Sequence, residues 1–467
     1  MSASTGSMHK IGLLTLIFVT SALFMTLRNM PMMAETGMRM VFFNTVTVFA
    51  FLIPAALVAA ELATGWPQNG VYHWVGVALG ERMGFLAVWL QWIQSIFGIT
   101  SILSYAAASF AYAINPTLAS DRYFIVTVIL IVYWSATLAN LFGTRLSGLI
   151  SSVCVTAGVF FPALVLIIWG LSYLKNGFPV HLDMSMTIDN LVPSLGSTRS
   201  LVMFLSFIFG FVGIEVSANM ANEVKNVRRT YPIAVFTAAI TGFAVTLLGG
   251  LAVAVVIPET KIDLISGAVQ TFDRLCSIYN VPWLLPLMAL LVAFGAAGQV
   301  STWVVGPIKG LWAAGKEGNL PPFWQKVNKN GIPRNLLLLQ ATLISIIGFL
   351  FIFVPDINFI FLILTDIAVL LYAVMYCLMF ISAIRLRYTR PGVHRAYRVP
   401  GGNFGMWVVA GTGLLTMVSC FVIGFIPYGI GTFSVGWYET AMAASVIVMT
   451  LIPFVILKFK RPEWLRT

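Results

Sequence analysis

The chain has 467 residues, of which 59% are hydrophobic and only 9% are charged, and its mean hydropathy is +0.93. Because a soluble domain carries about 25% charged residues, this composition excludes a soluble protein and indicates a chain that crosses a membrane many times. The formal net charge of +11 does not indicate nucleic-acid binding, since the basic residues fall mostly in short loops between apolar segments.

About twelve apolar segments follow one another along the chain, and each is long enough to cross a bilayer, which takes roughly 20 residues. The first apolar run resembles a signal peptide, but no clear small-residue cleavage site follows it, so we interpret it as a retained span. The sequence therefore predicts an all-α membrane protein with spans at 11–34, 40–61, 84–113, 123–142, 147–173, 200–221, 232–257, 282–313, 335–354, 358–384, 404–427 and 437–457.

Basic residues are distributed unevenly between the two sets of loops. The loops after even-numbered spans hold most of them, in clusters at 225–229, 316–334 and 385–398, and the C-terminal tail adds more, including Lys458, Lys460 and Arg461. Basic loops stay in the cytoplasm. This pattern predicts a multi-pass protein of the cell membrane, with the bacterial inner membrane as the expected location and both termini in the cytoplasm.

Two of the predicted spans contain helix-breaking residues. In the first span, Pro31 removes a backbone donor and clashes with the preceding turn; in the sixth, Gly210 and Gly213 weaken the helix. Non-helical backbone persists within a bilayer only around a protein-lined or watery cavity. The breaks near Arg28 and Val212 therefore predict a substrate site near the membrane midplane. The alternative for the sixth span is an intact helix with a small-residue packing face.

The spacing of the two breaks predicts the domain organisation. The second break comes five spans after the first, so its span enters the membrane from the opposite side, as in an inverted repeat of spans one to five and six to ten. We expect a transport core at 1–386, followed at 387–467 by two additional spans and a short cytoplasmic tail.

Four stretches carry a family resemblance: Glu61–Pro67 with Gly70–Trp74, Gly213–Glu215 with Asn222–Pro232, Gly306–Pro307 with Gly318–Pro322, and Lys329–Pro333. In order, they resemble the loop after the second helix, the sixth helix and its exit, the end of the eighth helix and the start of the ninth in the amino acid–polyamine–organocation superfamily of transporters. The pattern is most similar to the bacterial glutamate/γ-aminobutyrate antiporters. The resemblance implies a five-plus-five inverted repeat and alternating access for amino acids.

The chain departs from that branch at three positions. Arg28 stands where the branch has an uncharged aromatic residue, Gln299 replaces an acid on the eighth helix, and Ser152 stands where many members place a lysine on the fifth helix. These departures leave the substrate and the ion coupling open.

An amino acid substrate presents a carboxylate and an ammonium group. Free N–H groups at the N-terminus of a half-helix bind carboxylates, because backbone donors and the helix dipole both favour an anion. The two breaks offer such groups, and a carboxylic acid lies just after the second. The candidate substrate-binding residues are therefore Arg28, Asn29, Met30, Phe211, Val212, Gly213 and Glu215.

Arg28 requires a partner, because an arginine within an apolar span costs about 2.5–3.5 kcal/mol on insertion scales. The candidate partners are Glu215, Asp366 in the tenth span and an acidic side chain of the substrate. Arg28 is then a substrate contact, half of a gate pair with Asp366, or part of a fixed structural pair.

A possible cation site comprises hydroxyl groups on the fifth and eighth spans, at Ser152, Ser301 and Thr302, together with carbonyls near Leu27. In the alternative, these hydroxyls bond to the backbone of their own helices. Because hard cations are usually held with the help of a carboxylate, we favour an ion-independent amino acid exchanger. A proton- or sodium-coupled amino acid importer is the alternative.

Other classes of protein fit the sequence less well. A membrane enzyme would need a cluster of His, Cys or Asp residues at the membrane face, and a channel would need a repeated filter or a charged ring; neither pattern is visible. We expect no catalytic residues, no metal centre and no cofactor. The expected partners are an amino acid or amino acid derivative and the lipid bilayer.

Overall fold

The computed structural model describes residues 11–143, 152–193, 198–354, 356–427 and 434–465. Within these ranges the chain is helical, and eleven helices are long and apolar enough to cross a membrane. The interrupted first span adds a twelfth crossing. The predicted all-α architecture with about twelve spans is confirmed.

Where the structure describes them, the spans begin and end within six residues of the predicted boundaries; the predicted start of span 5, at residue 147, lies outside the described residues. Span 1 comprises Leu13–Phe24 and Met30–Ala34, and span 6 comprises Thr198–Phe209 and Ile214–Glu223. The other spans, in order from 2 to 5 and from 7 to 12, are Arg39–Gly65, Glu81–Ile114, Arg122–Leu141, Ser152–Lys175, Val227–Val256, Leu284–Asn319, Arg334–Phe353, Ile357–Thr389, Gly402–Ile423 and Val435–Lys458. Two shorter helices, Gly70–Leu79 and Gly267–Ile278, follow spans 2 and 7.

The first half of span 1 ends earlier than the position of its proline predicts. The helix stops at Phe24, and Pro31 lies in the first turn of the second half, Met30–Ala34. A proline is well tolerated at that position, because the N–H groups of a first helical turn have no intrahelical acceptor. Pro31 therefore starts the second half-helix, and the break itself spans residues 25–29.

Span 6 is interrupted where its glycines predict, so the alternative of an intact helix is wrong. The α-helix ends at Phe209, Gly213 adopts a left-handed conformation with φ of 107°, and a 3₁₀-helix follows from Ile214. A Cβ atom on Gly213 would lie 2.7 Å from the Trp303 ring and 3.1 Å from the Leu23 carbonyl oxygen. Glycine therefore allows the break to pack closely against spans 1 and 8.

We expect Gly213→Ala to destabilise the protein, because the new methyl group meets both left-handed strain, about 1–3 kcal/mol, and close contacts with spans 1 and 8. Gly177→Ala is the matched control, since Gly177 also has a positive φ, 69°, but a Cβ atom added there would meet no described atom within 4 Å. Thermal unfolding in detergent should show the larger loss for Gly213→Ala. Equal losses would contradict a role for the close packing.

Span 3 lies at the centre of the bundle, where it packs against spans 8 and 10. Its apolar stretch is entirely buried, whereas spans 11 and 12 are mostly exposed at the periphery. The side chains that face the breaks of spans 1 and 6 therefore come from spans 3, 8 and 10.

Candidate substrate-binding site

A cavity lies at the break of span 1. This central cavity is bounded by spans 1, 3, 6 and 8, and it therefore touches both interrupted helices. Its lining residues are Leu23, Phe24, Thr26, Arg28, Gln94, Ser95, Gly98, Ile99, Ile102, Phe209, Val212, Gln299 and Trp303.

Arg28 lines the central cavity and is only 3% exposed. Its Nε donates to Asn29 Oδ1 at 3.1 Å, and its Nη1 donates to Ser101 Oγ at 3.1 Å. The guanidinium carbon lies 4.6 Å from the centre of the Phe209 ring, a distance typical of a cation–π contact. Within the described ranges no carboxylate pairs with it. Neutral groups therefore hold this buried cation beside the cavity.

The predicted ion pair between Arg28 and Asp366 is absent from this structure, which describes both residues. Asp366 Oδ2 accepts a hydrogen bond from the Tyr438 hydroxyl at 2.9 Å. The neighbouring residue Thr365, rather than Asp366, contacts Ser101, the hydrogen-bond partner of Arg28. The helical turn of span 10 thus presents a hydroxyl, not a carboxylate, on the side of Arg28.

Glu215 lies directly after the break of span 6 and is 1% exposed. Its Oε1 accepts hydrogen bonds from Gln91 Nε2 at 2.9 Å and from the Tyr372 hydroxyl at 2.5 Å, and its Oε2 accepts one from Tyr376. The Tyr376 hydroxyl in turn accepts a hydrogen bond from Gly213 N at 3.0 Å. The carboxyl group therefore connects the break to spans 3 and 10. It is not among the groups that line the central cavity.

The breaks have fewer free N–H groups in the structure than the sequence predicts. The N–H groups of Met30, Phe211 and Gly213 donate to protein oxygens. Across the described chain, the N–H groups of Asn29 and Val212 have no protein acceptor, and Val212 lines the central cavity. Among the described residues at the break of span 6, the Val212 N–H is thus left without a protein acceptor, whereas the next N–H, that of Gly213, donates to Tyr376 of span 10.

Side chains from span 8 occupy the carbonyl groups at the end of the first half of span 1. Gln299 Nε2 donates to Ala22 O at 3.2 Å and also to Met25 O. Trp303 Nε1 donates to Leu23 O at 2.8 Å. The amide of Gln299 and the indole of Trp303 therefore occupy the carbonyl oxygens that a bound cation would need as ligands.

Protein groups contact the hydroxyls of Ser301 and Thr302, two of the residues proposed for a cation site. Ser301 Oγ accepts a hydrogen bond from Asn140 Nδ2 at 3.3 Å, and Thr302 Oγ1 donates to Gly298 O of its own helix at 3.4 Å. The second contact is the one that the helix-backbone alternative predicts. Ser152 is the first described residue of span 5. The cation site stays a prediction.

Sequence reasoning missed the polar residues of spans 3 and 10 that surround the breaks. The side chains of Gln91, Gln94 and Ser101 lie in span 3, and those of Tyr372 and Tyr376 lie in span 10. Their spacings of three, four and seven residues place each set on one helical face. A polar stripe along an otherwise apolar span was the available signal.

A model of a known protein family matches almost the whole chain, over residues 6–464, and its description is amino acid permease. The chain belongs to this family. An amino acid permease must enclose a polar substrate within the membrane, and the central cavity between two interrupted helices of this permease meets that requirement.

Known proteins of similar sequence cover most of the permease. An uncharacterized transporter of Legionella pneumophila is 33% identical over 450 residues, which is 96% of each chain. A glutamate/gamma-aminobutyrate antiporter of Lactococcus lactis is 32% identical over 96% of this chain and 90% of its own. A probable agmatine/putrescine antiporter of the same species is 24% identical over 84% and 83% of the two chains. The permease is thus a multi-pass membrane transporter of amino acids.

Proposed function

We propose that the permease exchanges one amino acid for another across the bacterial inner membrane by alternating access, with both termini in the cytoplasm. In this proposal, residues 1–386 form the transport core, and spans 11 and 12 support it from the periphery. The observation that carries the proposal is the central cavity, which lies between two interrupted helices and contains a buried arginine.

The charge of Arg28 supports a substrate that bears a carboxylate. A buried cation without an anionic partner is costly, and the described partners of Arg28 are the neutral side chains of Asn29 and Ser101. A carboxylate in the cavity would compensate this charge, whereas a diamine would be repelled by it. Arg28 thus favours an amino acid of the kind that the glutamate/gamma-aminobutyrate antiporters exchange over agmatine or putrescine.

The contacts of Gln299 support exchange without sodium. A sodium ion prefers several oxygen ligands, usually including a carboxylate. In this structure the Gln299 amide donates to the carbonyls of Ala22 and Met25. The carbonyl oxygens that a cation would require as ligands therefore already accept hydrogen bonds from the side-chain amide of Gln299.

Exchange should be visible with the purified permease in liposomes. We expect uptake of labelled glutamate to require unlabelled glutamate or γ-aminobutyrate inside the liposomes, because empty liposomes offer no substrate for the return step. Replacing sodium by choline should leave the rate unchanged. Putrescine inside the liposomes should not support uptake, which provides the control for the charge of the cavity.

Two outcomes would contradict this proposal in different ways. Strong sodium-dependent uptake into empty liposomes would indicate a sodium-coupled importer. Uptake into empty liposomes that follows an imposed pH gradient would indicate a proton-coupled importer, with the buried Glu215 as the first residue to replace by glutamine.

A further inference from the structure

A second, smaller pocket lies between the second half of span 1 and spans 6 and 10. It shares no lining residue with the central cavity. Its polar lining comes from Glu35, Ser206 and Asp366, and methionine and aliphatic side chains form the remaining wall. With the N-terminus in the cytoplasm, Glu35 lies on the outer side of the break, so this outer cavity precedes the central one for a substrate that arrives from outside.

The Asp366 carboxyl group faces the outer cavity without a cationic partner. It lies inside the helix bundle and keeps part of its surface open to the cavity. Its Oδ2 accepts from the Tyr438 hydroxyl, and in the described part of the chain its Oδ1 has no hydrogen-bond donor. Neither oxygen forms an ion pair with a described lysine, arginine or histidine. Asp366 therefore offers an open acceptor and, when it is ionised, a negative charge to whatever occupies the cavity.

Two hydrogen bonds connect the two cavities. Arg28 Nη1 donates to Ser101 Oγ at 3.1 Å, and Ser101 Oγ lies 3.1 Å from Thr365 Oγ1, in the residue next to Asp366. The buried cation at one site is thus linked to the buried carboxyl group at the other through Ser101 of span 3 and Thr365 of span 10. This arrangement of opposite charges is complementary to a zwitterion.

We propose that the outer cavity is a subsite for the ammonium group of an amino acid, with Asp366 as its anionic contact. The alkyl part of the ligand packs against the methionine and aliphatic wall, and the carboxylate is directed toward Arg28. The direction of passage rests on the proposed function. The binding of a primary alkylammonium group to this cavity does not.

Charged thiol reagents test the subsite without a transport assay. In a background where Cys154, Cys276, Cys377 and Cys420 are replaced by serine, Ser206→Cys places a reporter thiol in the cavity wall. We expect a positively charged methanethiosulfonate reagent to label this thiol about tenfold faster than a negatively charged one of similar size, a ratio equivalent to about 1.4 kcal/mol. n-Butylammonium should slow the positively charged reagent, and butyrate should not.

Asp366→Asn should clearly reduce both the preference for the positively charged reagent and the protection by n-butylammonium, although the carboxyl group of Glu35 lies in the same wall. Asp356→Asn is the matched control, because Asp356 caps the start of the same span through Asn358 N and Phe359 N and lies outside the cavity. Removal of its charge should leave the labelling ratio unchanged.

The proposal is overturned if the labelling ratio is the same with and without Asp366, or if neither reagent reaches the thiol. If Ser206→Cys fails to fold, Leu264→Cys gives a second reporter in the same wall. Absence of amino acid exchange in liposomes would refute the proposed function alone, since the labelling and protection are measured without transport.

Discussion

Replacing Glu61 by alanine is expected to lower the free energy of unfolding by about 3–5 kcal/mol, because it leaves buried cations without their counter-charge. Glu61 accepts from Arg387 Nε at 2.7 Å, from Arg387 Nη2 at 2.6 Å and from Val399 N at 2.7 Å, and Arg395 Nε lies 3.3 Å away. Burial lowers the pKa of Arg395, and the Glu61 carboxylate opposes this shift. The carboxylate therefore holds the loop between spans 10 and 11 against the end of span 2.

Thermal unfolding in detergent measures this effect, with Glu81→Ala as the control. Glu81 pairs with Lys460 at 2.6 Å, but its side chain is 53% exposed, and exposed pairs contribute about 0–1 kcal/mol. The melting temperature of Glu61→Ala should therefore fall well below that of Glu81→Ala. Similar melting temperatures for the two variants would show that the buried pair does not stabilise the fold.

Replacing Arg28 by alanine is expected to reduce amino acid exchange by about ten- to a hundredfold, since a hydrogen bond to a charged group contributes about 1.5–3 kcal/mol. The melting temperature should not fall in parallel, because Arg28 lacks a carboxylate partner among the described residues and its removal leaves no unpaired buried charge. The measurements are initial rates of counterflow at equal protein content and thermal unfolding of the same preparations.

Arg122→Ala is the matched control for Arg28→Ala. It removes the same charge at a half-buried position away from the central cavity, where Arg122 Nη1 donates to Ile352 O at 3.1 Å. Its exchange rate should stay near that of the parent. If Arg28→Ala loses folded protein but keeps its rate per folded molecule, Arg28 has a structural role and the assignment to the substrate is wrong.

The local chemistry of the sequence was sufficient to predict the spans and both breaks. Span positions follow from the length of apolar segments, which the thickness of the bilayer fixes. The break of span 6 follows from Gly213, since a left-handed backbone conformation at that depth excludes most other residues. The break of span 1 was predicted from Pro31, but it lies before the proline, because proline starts a helix as readily as it ends one.

The partners of the buried charges were decided by the tertiary structure alone. Glu61 and Arg387 are 326 positions apart in the sequence, and Glu215 and Tyr376 are 161 apart. Both acids were visible in the sequence, Glu61 within a family motif and Glu215 beside a break. Hydropathy, however, indicates only that each buried carboxyl group needs a partner. Which group compensates it depends on the rotation and depth of a distant helix. That is also why Asp366, one residue beyond the position that faces the Arg28 site, contacts Tyr438 instead of the arginine.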